Sequence, residues 1–263
     1  MARFCPLFSG SSGNSYYIGS AREGVLIDAG RSAKQITGML ESCGISRAAV
    51  RAVFVTHEHT DHVAGLRVLA SRNHLPVYAS RGTLDALRTA GYGNGFEMNV
   101  VPEAGVAVAG MKISPFPIPH DSAECVGYRI DTADGRTAAL STDLGCLSDS
   151  VRNHIAGADL VVLESNHDVG MLENGPYPYP LKRRILSKTG HLSNDACSTE
   201  LSGFIRRGST RVVLAHLSRE NNTPELAFQT ALCALSMSNM KQGKDFELYV
   251  APRENTMNRM ILF

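Results

Sequence analysis

The sequence predicts an α+β fold of many short strands with helices set between them, and three observations lead there. Val53-Phe54-Val55, Val77-Tyr78-Ala79, Leu160-Val161-Val162-Leu163 and Arg211-Val212-Val213-Leu214 are apolar runs of strand length, too short for helices. Between such runs lie longer stretches with helical caps, such as Ser32 to Cys43 and Asn194 to Arg207. Several of the runs lead directly into histidine or aspartate.

The elements follow in chain order. Gly10 to Ser15 is a Gly/Ser turn between Phe4-Leu7 and Tyr16-Ile18, which suggests a hairpin. Val25-Leu26-Ile27 is a strand ending at Asp28, and Ser32 to Cys43 is a helix with Gly44 as its C-cap. After Val53-Val55, the stretch Val63 to Ala70 has apolar spacing suited to one helix. Val77-Ala79 is a strand, and Thr83 to Ala90 is a helix that stops at Gly91. Val106-Val108 and Lys112-Pro117 form a hairpin around Ala109-Gly110. Tyr128-Ile130 and Thr137-Leu140 flank the turn Ala133-Asp134-Gly135. Leu160-Leu163 is apolar throughout, as a strand covered on both faces must be. Ser193 is placed to cap a helix over Asn194 to Arg207, with Gly208 beyond its end. Arg211-Leu214 is a strand; Thr223-Pro224 opens a helix to about Met240, and Phe246-Val250 is a final strand. No linker or low-complexity segment divides the chain, so residues 1–263 are expected to form one domain.

The densest chemistry is Thr56-His57-Glu58-His59-Thr60-Asp61-His62, directly after a strand. In an extended segment alternate side chains share a face, which would put His57, His59 and Asp61 on one side with His62 just beyond. A lone histidine in a loop is usually a surface residue, but a cluster of this kind is a metal-site cue. Imidazole and carboxylate suit zinc, manganese or iron, and this many ligands predicts two ions. Other strand-like runs lead to His120, Asp143 and His216, and Leu160-Leu163 leads to His167 three residues later. Residues at strand ends can converge on one edge of a scaffold.

The His/Asp cluster is the signature of the metallo-β-lactamase fold superfamily. Ser11-Ser12-Gly13-Asn14-Ser15, Leu26-Ile27-Asp28-Ala29-Gly30, Thr142-Asp143-Leu144-Gly145, Glu164-Ser165-Asn166-His167-Asp168, Gly190-His191-Leu192-Ser193-Asn194 and the segment from Ala215 to Asn222 resemble the YycJ/WalJ group within it. The resemblance runs from Phe8 to about Ala251. It implies an αββα four-layer sandwich of two mixed sheets with outer helices. It also implies a site of His57, His59 and His120, a second of Asp61, His62 and His216, and Asp143 bridging two divalent ions (zinc or manganese) ~3.5–4 Å apart.

A water between two such ions loses its proton near neutral pH and becomes the nucleophile. Asp61 would ligate one ion and orient, or briefly accept, the nucleophile's proton. The leaving group needs an acid, and His191 is the candidate, just before a helix start and outside the ligand set. In relatives such as the tRNA 3′-processing nucleases a histidine element at this point serves that role. Asp28 is read as a hydrogen-bonding support rather than a ligand. His167 is either a support or substrate contact, or a purely structural residue. Ser12 and Asn14, in the early turn, could reach the substrate or simply close a hairpin. Lys182, Arg183, Arg184 and Lys188 form a basic stretch before His191 that would suit a phosphate track, with Lys182 and Arg183 the named substrate contacts, although most such runs are solvated faces. His74 and His154 read as surface residues.

Composition narrows the setting. With 26 basic and 25 acidic residues the chain excludes a broad nucleic-acid patch but permits a local one. No apolar run approaches the ~18 residues of a membrane span. The start has no signal-peptide pattern, and the six scattered cysteines form no Cys-x-x-Cys motif, which together predict reduced thiols and a cytoplasmic protein. Cys125 and Cys146 lie near the proposed ligands and either line the site or pack in the core. The leading function is a two-metal phosphodiesterase, a 5′-to-3′ exonuclease on DNA by resemblance. The alternative is a small-molecule hydrolase of the same fold acting on a thioester, lactone or β-lactam. A quiet binding protein would have no need of a complete ligand set.

Overall fold

The computed structural model describes residues 2–263. The strands are β1 (Arg3–Phe8), β2 (Ser15–Gly19), β3 (Gly24–Ile27), β4 (Val50–Phe54), β5 (Val77–Ala79), β6 (Met98–Val100), β7 (Val106–Val108), β8 (Met111–Pro117), β9 (Val126–Asp131), β10 (Thr137–Ser141), β11 (Leu160–Glu164), β12 (Arg211–Ala215), β13 (Glu247–Val250) and β14 (Ile261–Leu262). The helices are α1 (Ala33–Ser42), α2 (Thr60–Val63), α3 (Leu66–Asn73), α4 (Arg81–Thr89), α5 (Asp149–Ile155), α6 (Val169–Asn174), α7 (Tyr179–Ile185), α8 (Asn194–Arg206) and α9 (Pro224–Met237).

Two seven-stranded sheets result, ordered β14-β1-β2-β3-β4-β5-β6 and β13-β12-β11-β10-β9-β8-β7. Three apolar layers hold them. Between the sheets, Phe4, Tyr16, Ile27 and Phe54 of the first meet Ile113, Tyr128, Leu140 and Val162 of the second. The other face of the first sheet packs Leu26 and Val53 against Ile36, Leu40, Leu66 and Leu84 of the helices. The outer face of the second packs Val161, Leu163, Val212 and Leu214 against Val151, Leu201, Phe204 and Leu235. The alternation of Leu160 and Val162 inward with Val161 and Leu163 outward explains the apolar sequence of β11, which is covered on both faces. Burying each such side chain contributes about 1.5–3 kcal/mol before chain entropy is charged against it. This is the four-layer αββα arrangement with two mixed sheets. Among the described residues no helix is long and apolar enough to cross a membrane.

Each sheet has a parallel half. β3 to β6 run parallel, as do β10 to β13. Ligands of open sheets bind beyond the carboxyl ends of parallel strands, and here those ends carry Asp28 after β3, His57 after β4, Asp143 after β10, Glu164 at the end of β11 and His216 after β12. Asp28, Asp143 and His216 all take left-handed backbone angles, with φ of 63°, 59° and 54°. Such conformations cost a non-glycine residue ~1 kcal/mol or more and concentrate at functional sites.

Local chemistry explains most boundaries. Ser32 caps α1 in a reciprocal capping box with Gln35. Ser193 accepts from the Ala196 N–H, and Thr223 with Pro224 starts α9. The stretch expected as one helix after the histidine cluster is instead two, α2 and α3, separated at Ala64-Gly65. The backbone of Arg31 crosses Gly65 so closely that a Cβ would lie 1.9 Å from its carbonyl oxygen. The first of these helices starts at Thr60, so Asp61 and His62 sit on a helical turn rather than continuing the expected extended alternation. Helices α5, α6 and α7 and strands β6 and β14 have no counterpart in the sequence reading. The cysteines are free; Cys125 packs in the outer core of the second sheet, and neither it nor Cys146 lines the cleft described below.

Gly30 is the tightest contact behind the site. A Cβ there would lie 1.7 Å from the Asp61 carbonyl oxygen and 2.5 Å from the Asn14 nitrogen. Gly30→Ala should therefore push the Asp61 turn away, costing roughly 1–3 kcal/mol of stability together with metal content. Urea denaturation and elemental analysis check this; wild-type values for both would contradict the packing argument.

Candidate metal centre

Seven side chains from four segments of the chain, residues 57–62 and the loops carrying His120, Asp143 and His216, meet at the carboxyl edge of the two sheets. His57, His59 and His120 bring one nitrogen each within 4.8 Å of one another. So do the ligand atoms of Asp61, His62 and His216, and those of His57, His62 and Asp143. The last set links the other two. Asp143 Oδ2 lies 3.1 Å from His62 Nε2, and Asp61 Oδ2 lies 3.6 Å from both His62 Nε2 and His216 Nε2.

Four of the five rings, all but His59, are oriented from behind through Nδ1. His62 Nδ1 is 2.8 Å from Asp28 Oδ2. The His57 Nδ1 is 3.0 Å from Thr56 Oγ1, whose hydroxyl in turn donates to the Asp28 carboxylate. His120 Nδ1 donates to the Gly190 carbonyl at 3.2 Å, and His216 Nδ1 is 2.7 Å from Glu164 Oε1. An acceptor at Nδ1 fixes the tautomer so that, once the ring is neutral, Nε2 is left as a bare electron pair facing inward. The consequence is visible: His57 Nε2, His216 Nε2 and Asp143 Oδ2 are buried without a hydrogen-bond partner. Leaving such atoms orphaned costs ~1–3 kcal/mol each, and a nitrogen/oxygen set aimed at a common point fits divalent ions.

Electrostatics agree. Burial, reinforced by neighbouring imidazoles, keeps His57 well below its ordinary pKa and lowers His120 too, so both stay neutral and able to ligate. Burial also works against a charged His62, but Asp143, Asp28 and Asp61 overcome it and raise the pKa well above normal. His216 rises likewise against burial, to about 10, through Asp143, Asp61 and Glu164. Burial would raise the Asp143 carboxyl, yet His216 and His62 pull it well below the usual range.

Glu164 is the functional residue that the sequence reading passed over. It is fully buried at the end of β11. Oε1 meets both His216 Nδ1 at 2.7 Å and His191 Nδ1 at 2.9 Å, while Oε2 accepts the N–H groups of Leu144 and Leu192. Burial alone would raise its pKa; the His191 and His216 rings bring it down to about 2. The signal was there: a carboxylate closing a fully buried strand needs partners. His191 has a raised pKa because Glu164 outweighs its burial, which favours the protonated ring, and with Nδ1 turned to Glu164 its Nε2 is the nitrogen left for the cleft. Asp28 takes the supporting place expected for it.

The remaining sequence candidates scatter. Ser12 is exposed and not in the cleft; its neighbour Ser11 is. Asn14 is buried, with Nδ2 3.0 Å from His62 Nε2 and 3.4 Å from Asp61 Oδ2, so it braces ligands rather than reaching outward. His167 is buried, its pKa lowered by burial to about 4, and neither ring nitrogen has a partner. It is not among the cleft-lining residues. Lys182 Nζ donates to the carbonyls of Glu173 and Gly175, and Arg183 lies over the Tyr179 ring; neither lines the cleft. Arg184 does. The cleft holds about 240 Å3 and, beyond the clustered histidines and aspartates, is lined by Ser11, Asn166, Ser218, Tyr177, Leu181, Arg184 and Ile185.

This fold and this ligand set define a metal-dependent hydrolase of the metallo-β-lactamase superfamily, and the model of the Beta-lactamase superfamily domain matches residues 24–217. Within that superfamily the chain belongs to the YycJ/WalJ group. It is 37% identical to Exodeoxyribonuclease YycJ of Bacillus anthracis over 94% of both chains. It is 34% identical to Exodeoxyribonuclease WalJ of Streptococcus pneumoniae, covering 94% of this chain and 93% of that one. Among solved structures, Zn(2+)-bound PqqB from Methylobacterium extorquens superposes with a TM-score of 0.73 at 15% identity, over 99% of this chain and 100% of that one, a likeness of fold.

Two outcomes follow from the shared carboxylate and the raised imidazoles. Glu164→Gln keeps the shape but loosens both rings, so affinity for the ion held by His216 should fall ~10–100-fold; unchanged affinity in a chelator-competition titration would contradict this. Protons on His216 and His62 must leave before ions enter, so binding should weaken as pH falls from about 9 to 6. Calorimetry at pH 7 in buffers of different ionisation enthalpy should show net proton release, and identical heats would count against it.

Proposed function

We propose that residues 1–263 act as one two-metal phosphodiesterase domain, a 5′-to-3′ exonuclease on DNA. The observation that carries the reading is the Glu164–His191 pair beside the ligand set. A phosphodiester releases a sugar alkoxide, a strong base that needs a proton as it leaves, and the His191 imidazole, whose protonated form Glu164 favours, lines the cleft where it can supply one. The names of the YycJ and WalJ relatives support nucleic acid as the substrate.

His57, His59 and His120 would hold one ion, Asp61, His62 and His216 the other, with Asp143 between them. When bound, zinc or manganese would polarise the phosphoryl group and lower the pKa of water. The chain's own work is positional. Asp28, Thr56, Glu164 and the Gly190 carbonyl hold the ligand rings in one tautomer. Asp61, a quarter exposed at the cleft, orients the attacking water and accepts its proton. His191 gives up Nε2–H to the departing oxygen, and Glu164 stabilises the ring through the transfer.

End-labelled single- and double-stranded DNA, RNA and nitrocefin, each incubated with the metal-loaded protein, test the reading together. Stepwise shortening of DNA from its 5′ end, abolished by a chelator, is expected. Nitrocefin turnover without any nucleic-acid cleavage would replace it with a small-molecule hydrolase. His191→Ala should keep both ions while turnover of DNA falls ~10²–10⁴-fold. The loss should shrink for a p-nitrophenyl ester, whose leaving group needs little protonation. Loss of an ion in this variant would place His191 among the ligands.

A further inference from the structure

Ions held by the ligand residues would neutralise the phosphate being cut, but a nucleic-acid strand brings a second phosphate close behind the first. Arg184, on α7, is the only arginine or lysine among the described residues that line the cleft. It does not wave free. Its Nε and Nη2 both reach the Asp121 carboxylate, Nη2 to Oδ1 at 2.9 Å, in a two-point fork. That engages one edge of the guanidinium. The other edge, Nη1 and the second Nη2 hydrogen, has no hydrogen-bond or ion-pair partner among the described residues, and the side chain is half exposed.

Asp121 is in turn tied to the centre. It follows His120 directly, its Oδ1 lies 3.4 Å from His120 Nε2, and its N–H donates to the Thr189 carbonyl in the loop before His191. The helix that carries Arg184 is clamped to the same loop. His191 N–H donates to the Ile185 carbonyl, and Gly190 packs so tightly on Arg184 and Ile185 that a Cβ would lie 2.2 Å from the Arg184 carbonyl oxygen. The guanidinium is therefore set at a fixed offset from both the ligands and the acid. A planar fork matches a phosphate in two-point contact, which a lysine cannot do.

We propose that Arg184, held on one edge by Asp121, grips with its other edge the phosphate next to the scissile one and so positions a strand rather than an isolated ester. The assignment rests on the nuclease reading above and deepens it. Asp121 is the positioning residue, acting through Arg184. Tyr177 and Leu181 also line the cleft, giving an apolar surface for the adjoining nucleotide.

The test uses full-length, metal-loaded wild type, Arg184→Gln, Arg184→Lys and Asp121→Asn, with melting temperature and metal content measured first. Binding of a fluorescein-labelled oligonucleotide with hydrolysis-resistant phosphorothioate linkages is followed by anisotropy against salt concentration. Arg184→Gln should raise Kd roughly 10–100-fold and flatten the slope of log K against log salt by ~0.7, one phosphate on a single strand. Arg184→Lys should restore the slope but only part of the affinity, and Asp121→Asn should lose affinity with the slope kept. The loss of turnover in Arg184→Gln should be at least about tenfold greater on an oligonucleotide than on bis(p-nitrophenyl) phosphate, which has no second phosphate. Equal salt slopes in wild type and Arg184→Gln, or equal losses on both substrates, would overturn the proposal and leave Arg184 a structural tie. A wild type that binds no oligonucleotide at all would overturn the nuclease reading, and this inference with it.

Discussion

Two buried carboxylates hold this site together. Asp28 and Glu164 are inaccessible to solvent, and each fixes the Nδ1 of a histidine whose Nε2 faces the centre. A charge so deep survives only when partnered, and here the partners are the ligands themselves. Removing either carboxylate would free a ring to rotate and leave its tautomer unset. Glu164 has the wider reach, because the same oxygen also steadies His191. One side chain thus ties the orientation of His216 to the protonation of His191. The pairing also separates the roles of two neighbouring rings: His216 turns its free nitrogen to the ligands, and His191 turns its own to the cleft.

The scaffold makes that convergence possible. Parallel halves of both sheets end at one edge, and loops from each carry ligands inward. The backbone yields to the site at Asp28, Asp143 and His216, which adopt left-handed angles at strand ends. Close contacts at Gly30 and Gly190 let the loops nest without spare volume. The fold bears the cost of orphaned inward-facing atoms at His57, His216 and Asp143. Ligation of an ion would satisfy those atoms and, because ions bind the folded chain, raise its stability by linkage.

Much of this was legible in the sequence because short apolar runs and their ends carry period and chemistry together. The strands before Asp28, His57, Asp143 and His216 and the capped helices at Ser32, Ser193 and Thr223 are local patterns, written in a few adjacent residues. What escaped depends on contacts between distant residues. Helices α6 and α7 have six and seven residues, too few to show a periodic face. Their importance comes from docking beside the cleft. The basic stretch was legible as a run of Lys182, Arg183, Arg184 and Lys188, but only its folding into a helix picks out Arg184 as the member that lines the cleft. Glu164 was hidden because an acidic residue after Leu160-Leu163 reads as the solvent-facing end of a strand. The division between α2 and α3 follows from the backbone of Arg31 crossing Gly65, which no local pattern encodes.

The central claim is that the inward-facing nitrogens and Asp143 hold two ions while His191 stays apart as an acid. Anomalous diffraction from crystals of the metal-loaded protein, recorded at the absorption edge of the bound metal, measures this directly. The account predicts two peaks ~3.5–4 Å apart, flanking the Asp143 carboxylate, with His191 Nε2 outside bonding distance of either. A single peak at full loading, or His191 within the coordination shell, would contradict it.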